Sequence, residues 1–458
     1  MTFSDTASRI HTRVAFIYGL EPRFPGTVAS SKYIGSAYEY GRFADHITSG
    51  QDLFPQVIFE EQLIDGESGD KRITDSLCLP EMQSLRLLLM LTPRQDVTLV
   101  IDGVVKDDID VDGISELLAA TCFDRLQMKI DHSPIAEWLG RRVTSASVQL
   151  PVFTFGNDVH QCVFAGQSVC GQLMDPNDPM KVSRAVTTIL YRATVPDGKG
   201  NSLGIRMPAG LNNPGNTFAA NGRGVSVFGG WSVPVENVFI LIAISAVSAL
   251  GVLRRVRHQS FDTMATNKDA TPTSPHDTGS LVTQLSERLN DMQLDLSFGV
   301  EAHIDSILIP EIVPDAFQAS LNDAVQMPQS LDNTSRMLQR VSAVIEARRS
   351  QLEAEKNERE AAKNKREATK NEHLEHRNRI GAIIVGTGSL LALPPGLLLT
   401  YFGIASKPEI FDFRSYWPAY LVVWLPFVLL ATIGGFFYSR SRGQITNRNG
   451  RGEDANDA

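Results

Sequence analysis

A chain of 458 residues, 43% apolar and 21% charged, has ordinary globular composition and room for more than one folding unit. Its formal net charge of -9 argues against a nucleic-acid-binding protein, which would present a basic face to phosphates. Cys78, Cys122, Cys162 and Cys170 contain no Cys-x-x-Cys pair, so a zinc or redox site of that type is not expected and the four read as reduced, mostly buried thiols.

The first residues, MTFSDTASRIHTRVAF, lack the order of a secretory signal, a basic stretch followed by an apolar run and a small-residue cleavage site. The N-terminus is therefore expected in the cytoplasm. Over residues 1–235, short β-like runs at 13–18, 57–63, 97–103, 148–155 and 186–193 alternate with turns and predict a mixed α/β cytoplasmic domain. Within it, Asp108-x-Asp110-x-Asp112-Gly113 opens like a calcium-binding EF-hand loop, but Ala119 stands where the bidentate glutamate belongs, and an acidic turn is the better reading. The glycine-rich stretch 210–230 has no Gly-Lys-Ser/Thr ending for a phosphate and reads as a loop or hairpin. Neither Gly-x-Ser-x-Gly nor His-Glu-x-x-His occurs, so no enzyme is expected and no catalytic residue is assigned.

Residues 236–334 predict cytoplasmic helices. The apolar run 238–253 is about 16 residues and includes Ser245 and Ser248; it reads as a buried helix, with a third membrane span as the alternative. The Thr-, Ser-, Asp- and Pro-rich stretch 259–280 predicts a disordered loop. Leu281, Leu285, Leu289, Met292 and Leu296 then recur at helical spacing and predict a helix to about residue 308. Between 335 and 379 there is neither Pro nor Gly, which predicts one long stalk helix. Leu338, Val341, Val344, Ile345 and Leu352 give its first part an apolar stripe, whereas the rest is densely charged and without a sustained heptad. His373-x-x-His376 in this stalk lacks a third metal ligand.

Residues 380–405 carry no charge and would span roughly 39 Å as a helix, and 419–438 would span roughly 30 Å, with Trp417 and Tyr438 near its ends. Two transmembrane helices are predicted, joined by an outer loop at 406–418 and followed by a tail at 439–458. Arg377 and Arg379 precede the first, and Arg440, Arg442, Arg448 and Arg451 follow the second; in the connecting loop Lys407 and Arg414 are balanced by Glu409 and Asp412. This pattern places both termini of a multi-pass cell-membrane protein in the cytoplasm.

The order of parts, an α/β domain, cytoplasmic helices, a long helix entering the first span, a short outer loop and a second span, resembles the CorA family of magnesium transporters. The likeness is closest where that family ends its first span with Tyr-Gly-Met-Asn some eight residues after a proline: here Pro394 precedes Phe402-Gly403-Ile404-Ala405. Pro408-Glu409-Ile410 and Pro418 also stand where family members carry Pro-Glu-Leu and a proline opening the second span. The resemblance covers the last third of the chain. It implies a homo-oligomer, pentameric in the family, with a central pore of first-span helices and Mg²⁺ or another divalent cation as cargo rather than as cofactor. Ala405 occupies the asparagine position, so only backbone carbonyls of Gly403, Ile404 and Ala405 remain to face an ion's water shell. Helical steps back from that point place Thr400, Gly396, Leu393, Ser389, Val385 and Ala382 towards the axis, with Arg379 at the cytoplasmic mouth and Glu409 and Asp412 outside. Such a small, apolar stripe suits a dewetting gate or a helix-packing face equally. The alternative function is a membrane-anchored sensor or effector with a closed or unselective pore, acting through its cytoplasmic domain.

Overall fold

The computed structural model describes residues 11–21, 32–50, 53–65, 73–76, 82–145 without 94, 107 and 124–127, 154–193 without 176–177, 205–269 without 209 and 214–215, 275–405, and 414, 417–418, 421–422, 424–429 and 432. The chain is a mixed α+β protein that divides into two units, Met1–Leu352 and Glu353–Ala458.

The first unit begins with β1 (Arg13–Glu21), β2 (Lys32–Tyr33), α1 (Ala44–Ser49), β3 (Gln56–Ile64), β4 (Ile73–Ser76), β5 (Met82–Leu91) and β6 (Val97–Val105). It continues with α2 (Val111–Phe123), β7 (Met128–Ile130), β8 (Ser133–Pro134), α3 (Ile135–Ser145), β9 (Thr154–Ala165), α4 (Gln167–Leu173), β10 (Met174–Asp175), β11 (Asp178–Val182) and α5 (Arg184–Tyr191). There follow β12 (Phe218–Asn221), β13 (Val225–Gly229), α6 (Val233–Asp269), α7 (Pro275–Leu296), α8 (Ala302–Asp305), α9 (Ile312–Ala324) and the start of α10 (Met327–Ala405). The main sheet has eight strands in the order β12-β13-β9-β1-β6-β5-β3-β2; β1 is antiparallel to both neighbours, and β13 runs parallel to β9.

Both faces of this sheet are covered, which explains why its central strands are apolar nearly throughout rather than alternating. Val14, Phe16 and Tyr18 of β1 pack with α2, α3 and α5 on one side, while Ala15 and Ile17 pack with α6 on the other. Helix α6 enters through Gly230, whose φ of +73° is a left-handed conformation at which a Cβ would overlap the carbonyl oxygen of Asn216. Residues 238–244 of α6 are wholly buried, and a helix apolar on all sides belongs in an interior. Phe239 stacks on Phe228 of β13 at 4.7 Å, and Phe228 stacks on Phe164 of β9 at 5.0 Å. Phe317 of α9 closes the cluster, 4.7 Å from Phe239. By length and composition α6, over Val233–Asn267, is long and apolar enough to cross a membrane. It is nevertheless the core helix of this unit.

Several expectations change. The run 186–193 is helix α5, not a strand: Ser183 caps it by accepting the Val186 N–H, the Thr187 hydroxyl donates to the Ser183 carbonyl at 2.9 Å, and Val186, Ile189 and Leu190 are buried. Of the run 148–155, only its end from Thr154 lies within the described residues, where it starts β9. The predicted loop at 259–280 is helical at both ends, since α6 continues to Asp269 and α7 begins at Pro275; residues 270–274 lie outside the described ones. The polar residues there fit a helix because Ser260 and Thr263 return their hydroxyls to the carbonyls four residues back. The stripe 281–296 is helical as expected, and a π-helical turn at Ser297–Glu301 extends it into α8. The glycine-rich stretch contains the β12–β13 hairpin.

Stalk and first predicted span form the single helix α10. Leu338, Val341, Ile345 and Leu352 are buried in the first unit, Val344 is half-buried, and every residue from 353 to 380 is exposed.

At the N-terminal end of α6 a charged group is sealed inside. Arg13 donates to both oxygens of Asp102 at 2.7 Å and also reaches Glu236 at 3.2 Å and Asn237 at 2.8 Å, while Arg86 donates to Asp102 Oδ2 at 2.9 Å. Burial pushes the Asp102 carboxyl up, but Arg13 and Arg86 outweigh it and hold the group well below the usual carboxylate range. A depressed pKa contributes stability above the ordinary carboxylate value that is lost as pH falls below about 4. Asp102→Asn, which leaves two guanidiniums short of their partner, is expected to cost about 3–5 kcal/mol and to flatten the loss of stability below pH 4, both read from unfolding of the full-length protein.

Candidate functional site

The residues assigned to a pore from the sequence lie in the second unit. Ala382, Val385, Ser389, Leu393, Gly396 and Thr400 are all helical residues of α10, and at about 100° per residue they share one stripe roughly 80° wide. Each is exposed in the single chain. Thr400 turns its hydroxyl to the Gly396 carbonyl at 2.8 Å, so its donor is used within the helix. Around Gly381, Gly386, Gly388 and Gly396 an added Cβ would meet nothing within 4 Å. Arg379 is exposed and lies about 40° beyond the edge of the same stripe. Phe402, Gly403, Ile404 and Ala405 are helical in backbone, whereas Glu409 and Asp412 lie outside the described residues. The described residues of the second predicted span, 421–422, 424–429 and 432, are helical.

Large apolar side chains are exposed along both stretches. Ile384 and Val385 are 63% and 68% exposed, Val422 is 71% exposed, and Ile380, Leu393, Leu397, Trp417, Leu425 and Leu429 are exposed as well. Water hydrates such surface unfavourably, at about 1.5–3 kcal/mol for each large side chain.

The acidic turn of the first unit takes its place as a helix cap. Asp110 Oδ1 accepts the Gly113 N–H at 2.8 Å at the start of α2, the role of an Asp at such a position. His373 and His376 are exposed on α10. Cys162 is buried and Cys122 and Cys170 are half-buried free thiols, while Cys78 lies outside the described residues.

A second constellation, not foreseen from the sequence, lies at the opposite end of α6 from the Arg13 group. On the α6 side of the sheet the apolar residues of the three central strands give way to Gly19 and Glu21 on β1, Thr98 on β6 with Asp96 just before it, and Gly156 and Asp158 on β9. Facing them, α6 changes from Val247 to Gly251, Arg254 and Arg255, and α7 adds Asp291 and Asp295. Together they line a cavity of about 730 Å³. Arg254 pairs with Asp158 Oδ1, and Arg255 pairs with Asp96 Oδ1 and, at 3.5 Å, with Asp295. Burial pushes the Asp158 carboxyl up to about 6; Arg254 opposes that shift and Glu21 adds to it. Asp96 Oδ2 and Thr98 Oγ1 are buried without a hydrogen-bond partner among the described residues. The acids alone carry no sequence signature, because they come from four separate segments; the visible signal is the change in the strand faces from apolar to Gly and Asp.

Glycines shape this cavity in two ways. A Cβ on Gly156 would approach the Gly19 carbonyl oxygen to 2.8 Å, whereas one on Gly251 would meet only Asp158 Oδ2, at 3.9 Å. Gly156→Ala should therefore lower the unfolding midpoint, by about 1–3 kcal/mol equivalent. Gly251→Ala should raise it, by up to about 1 kcal/mol equivalent, because alanine is the better helix former. Thermal unfolding of the two full-length variants checks both signs. A scan against protein-family models finds no match, and neither a search of curated proteins nor one of solved structures finds a relative, so the functional reading stands on the residues themselves.

Proposed function

We propose that this chain is a CorA-like membrane protein whose α10 helices assemble, in a homo-oligomer, around a path for divalent metal cations. The observation that carries the reading is the run of exposed apolar side chains from Ile380 to Leu429 on uncharged helical stretches, which need lipid rather than water. The stripe from Ala382 to Thr400 supports an assembly of helices, since the open Gly396 on it permits close approach of a neighbour. In that assembly both spans cross the bilayer with the termini in the cytoplasm, and the carbonyls of Gly403 to Ala405 face the permeating ion's water shell. Glu409 and Asp412 would draw cations to the outer mouth.

One observation favours the second reading, a membrane-anchored sensor with a closed pore. Arg379 borders the stripe, and a ring of guanidiniums at the cytoplasmic mouth opposes cation passage.

Flux of Mg²⁺, Co²⁺ and Ni²⁺ into liposomes holding the purified protein separates the two. Transport predicts saturable flux in the wild type, and Ala405→Asn should raise the preference for Mg²⁺ by restoring a side-chain ring to the filter. Absence of flux in both proteins, with reconstitution verified, would overturn transport in favour of the sensor.

A further inference from the structure

We infer that the cavity between α6 and the ends of β1, β6 and β9 is a binding site for a linear organic diamine or polyamine. This assignment is independent of transport. Five carboxylates, Glu21, Asp96, Asp158, Asp291 and Asp295, face two guanidiniums there, Arg254 and Arg255, so the lining carries an excess of three negative charges. His258, also on the lining, is engaged with Asp262 at 3.0 Å.

The negative charge has two poles. Asp158 lies on β9 and Asp96 immediately precedes β6, the two strands flanking β1. At about 4.8 Å per strand spacing, their backbones stand roughly 10 Å apart. No group of three or more His, Cys, Asp or Glu placed to hold one ion occurs among the described residues. Two ammoniums joined by methylenes meet both requirements. One reaches Asp158 and Glu21, and the other reaches Asp96 and the carboxylates of α7. The alkyl chain between them lies on Val247 of α6 and Leu294 of α7, which also line the cavity.

The site holds open acceptors beside open donors, Nε and Nη2 of Arg255, which have no hydrogen-bond partner among the described residues. Each arginine takes only one oxygen of its strand-end aspartate, and Asp96 Oδ2, on a residue 8% exposed, has no partner among the described residues. Thr98, which is fully buried, lines the same cavity with an equally unpartnered hydroxyl. Three glycines, Gly19, Gly156 and Gly251, leave the room.

The test is isothermal titration of the full-length protein in detergent with putrescine, spermidine and, separately, Mg²⁺. Saturable amine binding is expected, weakened about tenfold or more by Asp158→Asn, which removes a charged acceptor, and by Gly251→Leu, which fills the cavity. Glu21→Gln, at an exposed position, serves as the charge variant that leaves folding intact. Affinity should also rise from about pH 5 to about pH 7 as Asp158 ionises among Glu21 of β1, Asp96 before β6, Arg254, Arg255, Arg257 and His258 of α6, and Asp291 and Asp295 of α7. Absence of saturable amine binding would overturn the assignment. So would amine binding that is unchanged in folded variants, or Mg²⁺ binding that depends on Asp158 while the amines do not bind.

Discussion

The first unit depends on one constraint: a helix with no polar side over most of two turns must be buried, and a face of the eight-stranded sheet is wide enough to bury it. Helix α6 meets it by lying on β1, β6 and β9 with residues 238–244 fully enclosed. A greasy helix on a greasy sheet has little to fix its position, since hydrophobic attraction is non-directional. Charged groups supply the direction. Arg13 and Asp102 hold Glu236 and Asn237 at one end of the contact, and Asp158 and Asp96 hold Arg254 and Arg255 at the other. The partners on one face of β1 and β6 thus run from charge through apolar packing and back to charge, and a slip of α6 along the sheet would strand buried ions at both ends.

That arrangement also accounts for the cavity. Where the packing ends, glycines replace larger side chains on two strands and on α6, and the space so left is walled by the carboxylates that anchor the helix. A pinning device and a ligand site therefore share residues. The raised pKa of Asp158 follows from the same geometry, because a carboxyl close to Glu21 and removed from water keeps its proton more readily despite Arg254.

The second unit changes character along its length. Residues 353–380 are exposed throughout and densely charged, as a helix in water can be, whereas beyond Ile380 charge disappears and large apolar side chains stand open. Continuous helix through that change keeps its interior N–H and C=O groups bonded within the segment, apart from the carbonyls of Leu390 and Leu391, which lose their donors to Pro394 and Pro395. The glycines with open surroundings and the small stripe have value only when another helix approaches, which ties the proposed pore to self-association.

Strong periodicity and strong composition were legible in the chain alone. The strands at 13–18, 57–63 and 97–103, the helical stripe of 281–296, the buried position of Leu338, Val341 and Ile345, and the uncharged segment after Arg379 all follow from side-chain patterns set locally. Helix α5 reads locally as a strand because Val186, Thr187, Thr188 and Ile189 are β-branched, and what decides for helix there is a capping serine and a buried face. The stretch after Gln259 reads as a loop because Ser and Thr suit one until a neighbouring helix buries them. The cavity charges were invisible because Glu21, Asp96, Asp158, Arg254 and Asp291 are far apart in sequence and ordinary one by one. Local pattern determines which segments become helices or strands; only the tertiary structure decides which distant charges share a space, because that depends on how the sheet twists and where α6 comes to rest upon it.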